Sequence, residues 1–431
     1  MSNRVDRYHL YTLLLGWCFV SLFLSDPSAE AEIIKKGETL SLKRCIEIAL
    51  KMHPEIAAAK GERMAVESRV GQAKSDYYPQ IEIGTGYNRR HLMDTFDQYS
   101  GILTLKQNIY DFGRTETSIS LERLKLESSL ASIEDIKLTV IFDVSRSYYD
   151  LLKAKKNRDV ALELVRQSEE HLRQAKEFYE AGTRPRYDVT QAEVNLSNAR
   201  LNLIKAENNV RLAIASLNNK MGVAEAPEYE IEDDLTFKRL DISIDEVLSF
   251  AFENRPDLRS VTSLKRAAEK SVELAKKNYY PNLSGVITYG WSGNSFPLDR
   301  EWNIGANLTI PVFNGFLTRY QITEAEANLN IAKAKEELIR QKIQLEIQQA
   351  YLALREAEER IPTAELAVIQ AKENLDLARG RYEAGVGNPI EVTDAEASYV
   401  NARASYIQAI TDYKIAIAAL EKAMGKYHEL W

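Results

Sequence analysis

The chain has 431 residues, of which 28 % are charged, with a net charge of −7 and a mean hydropathy of −0.34. That balance argues against a nucleic-acid-binding surface, and only 19 Gly and 11 Pro leave few breaks, which suits long amphipathic helices better than a compact α/β enzyme. The five histidines (His9, His53, His91, His171, His428) never fall at metal-ligand spacing, and neither a phosphate-binding glycine loop nor a nucleophile elbow occurs, so no cofactor or catalytic centre is expected.

Residues 1–31 differ from the rest. Arg4 and Arg7 precede an apolar run from Leu10 to Leu24, and Ala29-Glu30-Ala31 then offers a small-residue cleavage site. This is the pattern of a secretory signal peptide. The alternative is an N-terminal anchor, but the run of about 15 residues is short of the ~20 a spanning helix needs. Bulky Trp17 before Cys18 argues against lipid attachment, and Cys45, alone once the signal is removed, has no partner for an intramolecular disulfide.

Residues 42–77 are expected to form one helix of about 36 residues, ended by Tyr77-Tyr78-Pro79. Period-two alternation follows: Ile81, Ile83, Thr85 and Tyr87, then Leu103, Leu105, Gln107 and Ile109. These are two strands with one apolar face, joined through the polar stretch 91–99. From Gly113 to Gly182 the chain has few helix breakers, and a helix of about 70 residues would be ~100 Å long. A turn leads into a last helix in which Val189, Ala192, Leu196, Ala199, Leu203, Ala206, Val210, Ala213 and Leu217 recur at spacings of three and four. A strict seven-residue repeat specifies a coiled-coil seam, and alternating Ala lets a partner helix come close. An ordinary helix core is the plainer alternative.

After a linker, 223–242, everything is said again. Tyr279-Tyr280-Pro281 repeats the first Tyr-Tyr-Pro at an offset of 202 (281 − 79), and Met424-Gly425 repeats Met221-Gly222 at 203 (424 − 221). The second copy has a helix over 243–279, strands over 283–291 and 302–310 joined through 293–299, and a long helix from Gly315 to Gly385 with a kink expected at Pro362. Its last helix keeps the seam as Val392, Ala395, Tyr399, Ala402, Tyr406, Ala409, Tyr413, Ala416 and Leu420. The chain thus divides into repeats 32–222 and 243–431, a duplicated structural unit.

In each repeat the two shorter helices laid end to end match the long one, so two parallel rods carry strands at one end and glycine turns at the other. Strands of about ten residues suit a tilted membrane span, yet four per chain cannot close, and open edges are costly in lipid. Three chains would supply 12 strands (3 × 4). The alternative is a small soluble sheet on a coiled-coil stalk, as in a periplasmic adaptor or structural protein. Aromatic residues flanking the strands (Tyr77, Tyr110, Tyr279, Trp291, Trp302, Phe313) favour the membrane.

With these residues in view, the sequence resembles the TolC-type outer-membrane efflux proteins. The resemblance covers essentially the whole mature chain. It is carried by the doubled Tyr-Tyr-Pro, by Phe112-Gly113 and Asn314-Gly315, and by Val144-x-x-x-Tyr148-x-x-Leu151 with its copy Ile347-x-x-x-Tyr351-x-x-Leu354. The Tyr-x-x-Gly turns followed by Asp188-Val189 or Glu391-Val392 complete it. The resemblance implies a mainly α fold in which a homotrimer joins a 12-stranded barrel in outer-membrane lipid to a periplasmic α-helical tunnel. It further implies a passive exit duct of a tripartite efflux or type I secretion system, serving an inner-membrane pump through a periplasmic adaptor and closed at its tip until engaged.

At that tip, Glu391 and Asp394 share a helix face and in a trimer would form carboxylate rings that attract cations. Asp188 matches the acid of the family's first repeat. The competing reading for all three is helix capping, Asp188 and Gln191 having capping-box spacing. Tyr382 matches a gate tyrosine. The family's gate arginine is replaced by Gly387, so Arg184 and Arg186 on the opposite turn are candidates to pair with Glu391 instead.

Overall fold

Proline and glycine punctuate this chain, and they set its element boundaries. A computed structural model describes residues 34–91 and 95–426, so the expected signal peptide lies outside the described residues. The first repeat contains β1 (Thr39–Leu40), α1 (Leu42–Met52), α2 (Pro54–Ser75), β2 (Gln80–His91), β3 (Thr95–Tyr110), α3 (Arg114–Glu180) and α4 (Arg186–Met221). The second contains β4 (Glu230–Ile231), α5 (Ile244–Asn254), α6 (Pro256–Lys277), β5 (Asn282–Gly293), β6 (Asp299–Thr309), α7 (Leu317–Glu383) and α8 (Pro389–Met424).

The single helix expected at the start of each repeat is two helices. His53 and Arg255, each directly before a proline, are extended at ψ 125. Proline disfavours helical geometry in the residue before it, then opens the next helix at its first position, where its missing N–H costs nothing. The polar stretch 91–99 is also mostly strand, with Arg89 opposite Asp97 and Tyr87 opposite Tyr99. At Pro362 helix α7 continues, so the proline does not end it. The linker carries an unexpected element: β4 pairs in parallel with β1.

Helices α3 and α7 have 67 residues each, or ~100 Å. Along α3, α2 packs towards the sheet and α4 towards the far end, and α6 and α8 relate to α7 in the same way. Each repeat has its own core at mid-length. Val144, Tyr148 and Leu151 lie in the first, and Ile347 and Leu354 in the second with Tyr351 packed against it, so these motif residues hold the rods together. The linker is pinned across the cores: the Tyr148 hydroxyl donates to the Glu232 carbonyl at 2.7 Å, and Arg355 donates to the carbonyls of Leu240 and Ile242 at 3.0 and 2.7 Å. Arg255, buried at the α5–α6 break, donates to Asp257, to Glu346 at 2.7 Å and to the Ala423 carbonyl.

The antiparallel sheet has the order β2-β3-β5-β6. Its register sets Ile81 opposite Leu105, Ile83 opposite Leu103, Leu103 opposite Tyr289, and Tyr289 opposite Trp302. One face therefore carries a continuous apolar band, and the other is mostly polar or small, with Glu82, Lys106, Ser284, Asn303 and Asn307 among Ile102 and Val286. The band lies uncovered, Ile83 being 77 % and Trp302 69 % exposed. Both β2 and β6 leave an unpaired edge within the chain. No helix among the described residues is long and apolar enough to cross a membrane.

Candidate functional site

At the end of the rods away from the sheet, two turns reverse the chain. Each closes its long helix with a Schellman motif around a glycine of positive φ: Gly182 at φ 72 and Gly385 at φ 79. The Gly182 and Thr183 N–H groups donate to the Tyr179 and Phe178 carbonyls, and those of Gly385 and Val386 donate to Tyr382 and Arg381. The carbonyls otherwise orphaned at a helix end are thereby satisfied. Helix α4 then starts after Pro185, and α8 after Asn388, whose side chain accepts from the Ile390 N–H at 3.0 Å.

Asp188 and Glu391 occupy the same position of their helices, the third residue, but not the same environment. Asp188 is 4 % exposed, and its Oδ2 has no hydrogen-bond partner among the described residues. It does not cap α4, because Pro185 stands at the cap, so the capping-box reading fails there. Glu391 is exposed, as is Asp394. The predicted pairing of Glu391 with Arg184 or Arg186 is not what the side chains do. Arg381, in the last turn of α7, reaches Glu391 at 3.3 Å. Arg381 was not legible as a partner beforehand because it lies one turn before the glycine.

Arg184 instead spans the two turns. Its Nη2 donates to the Gly387 carbonyl at 3.2 Å, and its guanidinium lies over the Tyr382 ring, 5.1 Å from the centroid. These two positions, 184 and 387, are equivalent in the two repeats (387 − 184 = 203). Gly387 has no room for a side chain: a Cβ there would lie 2.7 Å from the Tyr382 nitrogen and 2.8 Å from the Arg381 carbonyl carbon. The cross-link thus runs from the first turn to the second, as expected of Arg184, but it ends on a bare carbonyl and not on the Glu391 carboxylate. Arg186 is exposed and takes no part in this contact.

Tyr382 is the centre of the tip. It is 1 % exposed and packs with Leu375, Ala378, Val392 and Ala395. The His171 and Phe178 rings lie 5.1 and 6.1 Å from it. Burial pushes its hydroxyl above the ordinary phenol value, the Asp188 carboxylate adds to this, and Arg184 opposes it. A cleft of about 360 Å³ opens beside it, lined in part by Gln167, Glu170 and His171 from α3 and Arg379 from α7. Arg379 bridges Gln167 at 2.8 Å and buried Glu396 at 2.9 Å, tying α3 to α7 and α8. Sequence reasoning missed His171, Arg379 and Glu396, which come from three helices with no local pattern to connect them. Of the predicted seam, Ala199 is 2 % exposed in a cluster with Val165 and Leu196, and Ala402 is half-buried.

This arrangement ties the two turns of one chain together. It offers no activated nucleophile, and no group of three or more metal-ligating side chains occurs among the described residues.

The profile of the outer membrane efflux protein family matches residues 45–223 and 247–426, once per repeat. Protein CyaE of Bordetella pertussis is 23 % identical over 404 residues, covering 90 % of this chain and 85 % of its own length. The outer membrane protein TolC of Vibrio cholerae is 22 % identical, covering 87 % of this chain and 88 % of its own. Among solved structures, CusC superposes with a TM-score of 0.80 at 18 % identity over 90 % of this chain and 92 % of its own, and its structures are described in terms of transmembrane channel formation. The duplicated fold, the bare apolar sheet face and these matches agree. The chain belongs to the outer membrane efflux protein family, as an exit duct seated in the outer membrane and extending into the periplasm.

Proposed function

We propose that three copies of the chain close one barrel and one tunnel, and that the turns at the far end of the rods are the gate. Two unpaired edges and an uncovered apolar band support the trimer, since a sheet of four strands in lipid would leave both edges unsatisfied. In each chain Arg184, over Tyr382 and against the Gly387 carbonyl, is the latch. The exposed pair Glu391 and Asp394 would give six carboxylates at the constriction (3 × 2). Duct partners would be a periplasmic adaptor that engages the tip and an inner-membrane pump that chooses the cargo. CyaE, TolC and CusC share the fold but differ in name, and this chain's cargo follows from its pump.

The observation that carries the reading is the asymmetry between equivalent acids. Asp188 is withdrawn beneath Tyr382, and Glu391 with Asp394 stays exposed, as a lumen ring requires. A cluster of carboxylates in a narrow pore attracts multivalent cations strongly. Replacing both Glu391 and Asp394 by Ala should leave folding within ~0.5 kcal/mol, because exposed acids contribute little. The same change should abolish trivalent-cation block of single-channel current in planar bilayers. Undiminished block would place these carboxylates outside the pore.

A further inference from the structure

The outward face of the sheet is layered from the helices to the hairpin ends. An aliphatic band comes first, with Ile81, Ile83, Leu103, Leu105, Ile287 and Ile304 meeting across the strands. Its upper row, Ile83 and Leu103, continues across the sheet into Tyr289 and Trp302. The next row sets Trp291 opposite Arg300 on one side and Gly101 on the other, with Thr85 beyond. Tyr87 and Tyr99 follow, then Arg89 opposite Asp97. Because side chains alternate along a strand, all of these share the face of the apolar band, whereas Arg90 belongs to the other face.

The small residues Gly101 and Thr85 leave a notch in this face. Tyr87, Tyr99, Trp291 and the folded-back Phe296 wall it, forming a groove of about 690 Å³. The rings touch in sequence, Tyr87 to Tyr99 at 5.2 Å and Tyr99 to Phe296 at 5.1 Å. Yet three of these aromatics remain exposed, Phe296 by 72 %, Tyr87 by 55 % and Trp291 by 45 %, and Tyr99 is half-buried. Arginine flanks the groove on both sides. Arg89 is 67 % exposed and meets Asp97 only at 3.7 Å, and Asp97 also accepts from the Tyr87 hydroxyl at 2.9 Å. Arg300, exposed on β6, has no ion-pair partner among the described residues. Around the groove two arginines on this face, Arg89 and Arg300, thus stand against one acid, Asp97, in a chain whose net charge is −7.

A barrel strand that passes from lipid to water ordinarily shows an aromatic girdle and then solvated polar residues. A notch cut into the girdle and bracketed by arginines is a different feature, complementary to an amphiphile with acyl chains, a sugar face and phosphates. Arginine suits phosphate through its planar fork, and aromatic faces suit the C–H side of a sugar ring. We propose that this face binds the phosphorylated glycolipid of the outer leaflet. Its acyl chains lie along the aliphatic band, its sugar on Tyr87, Tyr99 and Trp291, and its phosphates on Arg89 and Arg300. Closing the barrel would set β6 of one chain beside β2 of the next, which brings the two arginine positions to one seam between protomers. The proposal rests on the barrel reading, since only in the barrel does this face meet lipid.

The test is native mass spectrometry of the detergent-solubilised trimer, titrated with bisphosphorylated lipid A, with its dephosphorylated form and with phosphatidylglycerol. Bisphosphorylated lipid A should bind at least about tenfold more tightly than either of the others, because each phosphate adds charge-assisted bonds. The pair Arg89→Gln and Arg300→Gln should remove that preference, and Arg90→Gln on the opposite face should keep it. Equal binding of the dephosphorylated form, or of phosphatidylglycerol, overturns the proposal, and these arms use the unaltered chain, so they stand even if a variant misfolds. A chain that forms no trimer in detergent overturns the barrel reading and the proposal with it. A trimer indifferent to the glycolipid overturns the proposal alone.

Discussion

Gly387→Ala perturbs the tip where it has least room. The added Cβ would lie 2.7 Å from the Tyr382 nitrogen, 2.8 Å from the Arg381 carbonyl carbon and 3.1 Å from the Arg381 Cβ. The first two are backbone atoms in the last turn of α7 and cannot rotate away, so the turn itself must shift. That shift strains the bond from the Gly387 N–H to the Arg381 carbonyl, at 2.8 Å, and carries the Gly387 carbonyl away from Arg184. Overpacking of this kind costs ~1–3 kcal/mol, and an exposed turn that can relax belongs in the lower half of that range. About 1.4 kcal/mol per chain changes the closed-to-open ratio tenfold, and three turns opening together would change it about a thousandfold. Single-channel recording should therefore find Gly387→Ala trimers predominantly conducting. Val386→Ala, one residue earlier and 70 % exposed in the native chain, should behave as wild type. Folded Gly387→Ala trimers with wild-type closed conductance would refute the assignment of this contact to closure.

Other perturbations test other layers of the same argument. Arg184→Ala removes the hydrogen bond to Gly387 and the stacking on Tyr382, and should raise conductance without lowering the melting temperature of the cores. Ala199→Leu should destabilise the trimer by ~1–3 kcal/mol, read as a lower melting temperature, because Ala199 is buried against Val165 and Leu196. Ala402→Leu, at a half-buried position, should cost less. Burial holds the His171 imidazole below its ordinary value of 6.5; Glu396 and Asp188 pull it up and Arg379 pushes it down. The closed tip thus takes up a proton less readily than an opened one. Its stability from this group is complete above pH 6.5 and is lost progressively as pH falls below that value. Open probability should rise on acidification, less so in His171→Gln, and matching pH profiles for the two would exclude His171 as the cause.

What could be read in the sequence was whatever repeats locally. The 67-residue rods follow from long intervals without breakers, and their ends from Gly182 and Gly385. The sheet's apolar face follows from alternation, and its register sets Ile83, Leu103, Tyr289 and Trp302 in one row. The breaks before Pro54 and Pro256 were equally visible, 202 residues apart (256 − 54) like the other doubled motifs. What masks them is the length match that one unbroken helix would make with the long rod. The β1–β4 pair was not visible, since strands of two residues have no period to detect. The tip was half visible. Turn residues announce themselves by type, but a guanidinium's choice between the Glu391 carboxylate and the Gly387 carbonyl depends on helices that meet only in three dimensions.

The two repeats had to stay alike along the rods and strands, because each contributes the same elements to one sheet and one bundle. At the tip no such constraint applies, and there they diverge by position. Tyr179 is 46 % exposed and its equivalent Tyr382 is 1 % exposed. Asp188 is buried and its equivalent Glu391 is exposed. Arg184 carries a side chain that reaches its own equivalent, Gly387, which can carry none. Each difference makes sense only with its counterpart: a ring buried by one copy needs the cation of the other, and a cation that crosses between turns needs a bare carbonyl to receive it. Two identical turns would present arginine to arginine and could not form this contact. Duplication therefore supplied the rods, and divergence at equivalent positions supplied the contact between the turns. Because that contact joins two turns of a single chain, opening under the proposed gating would require each protomer first to separate its own repeats there, whatever contacts its neighbours add.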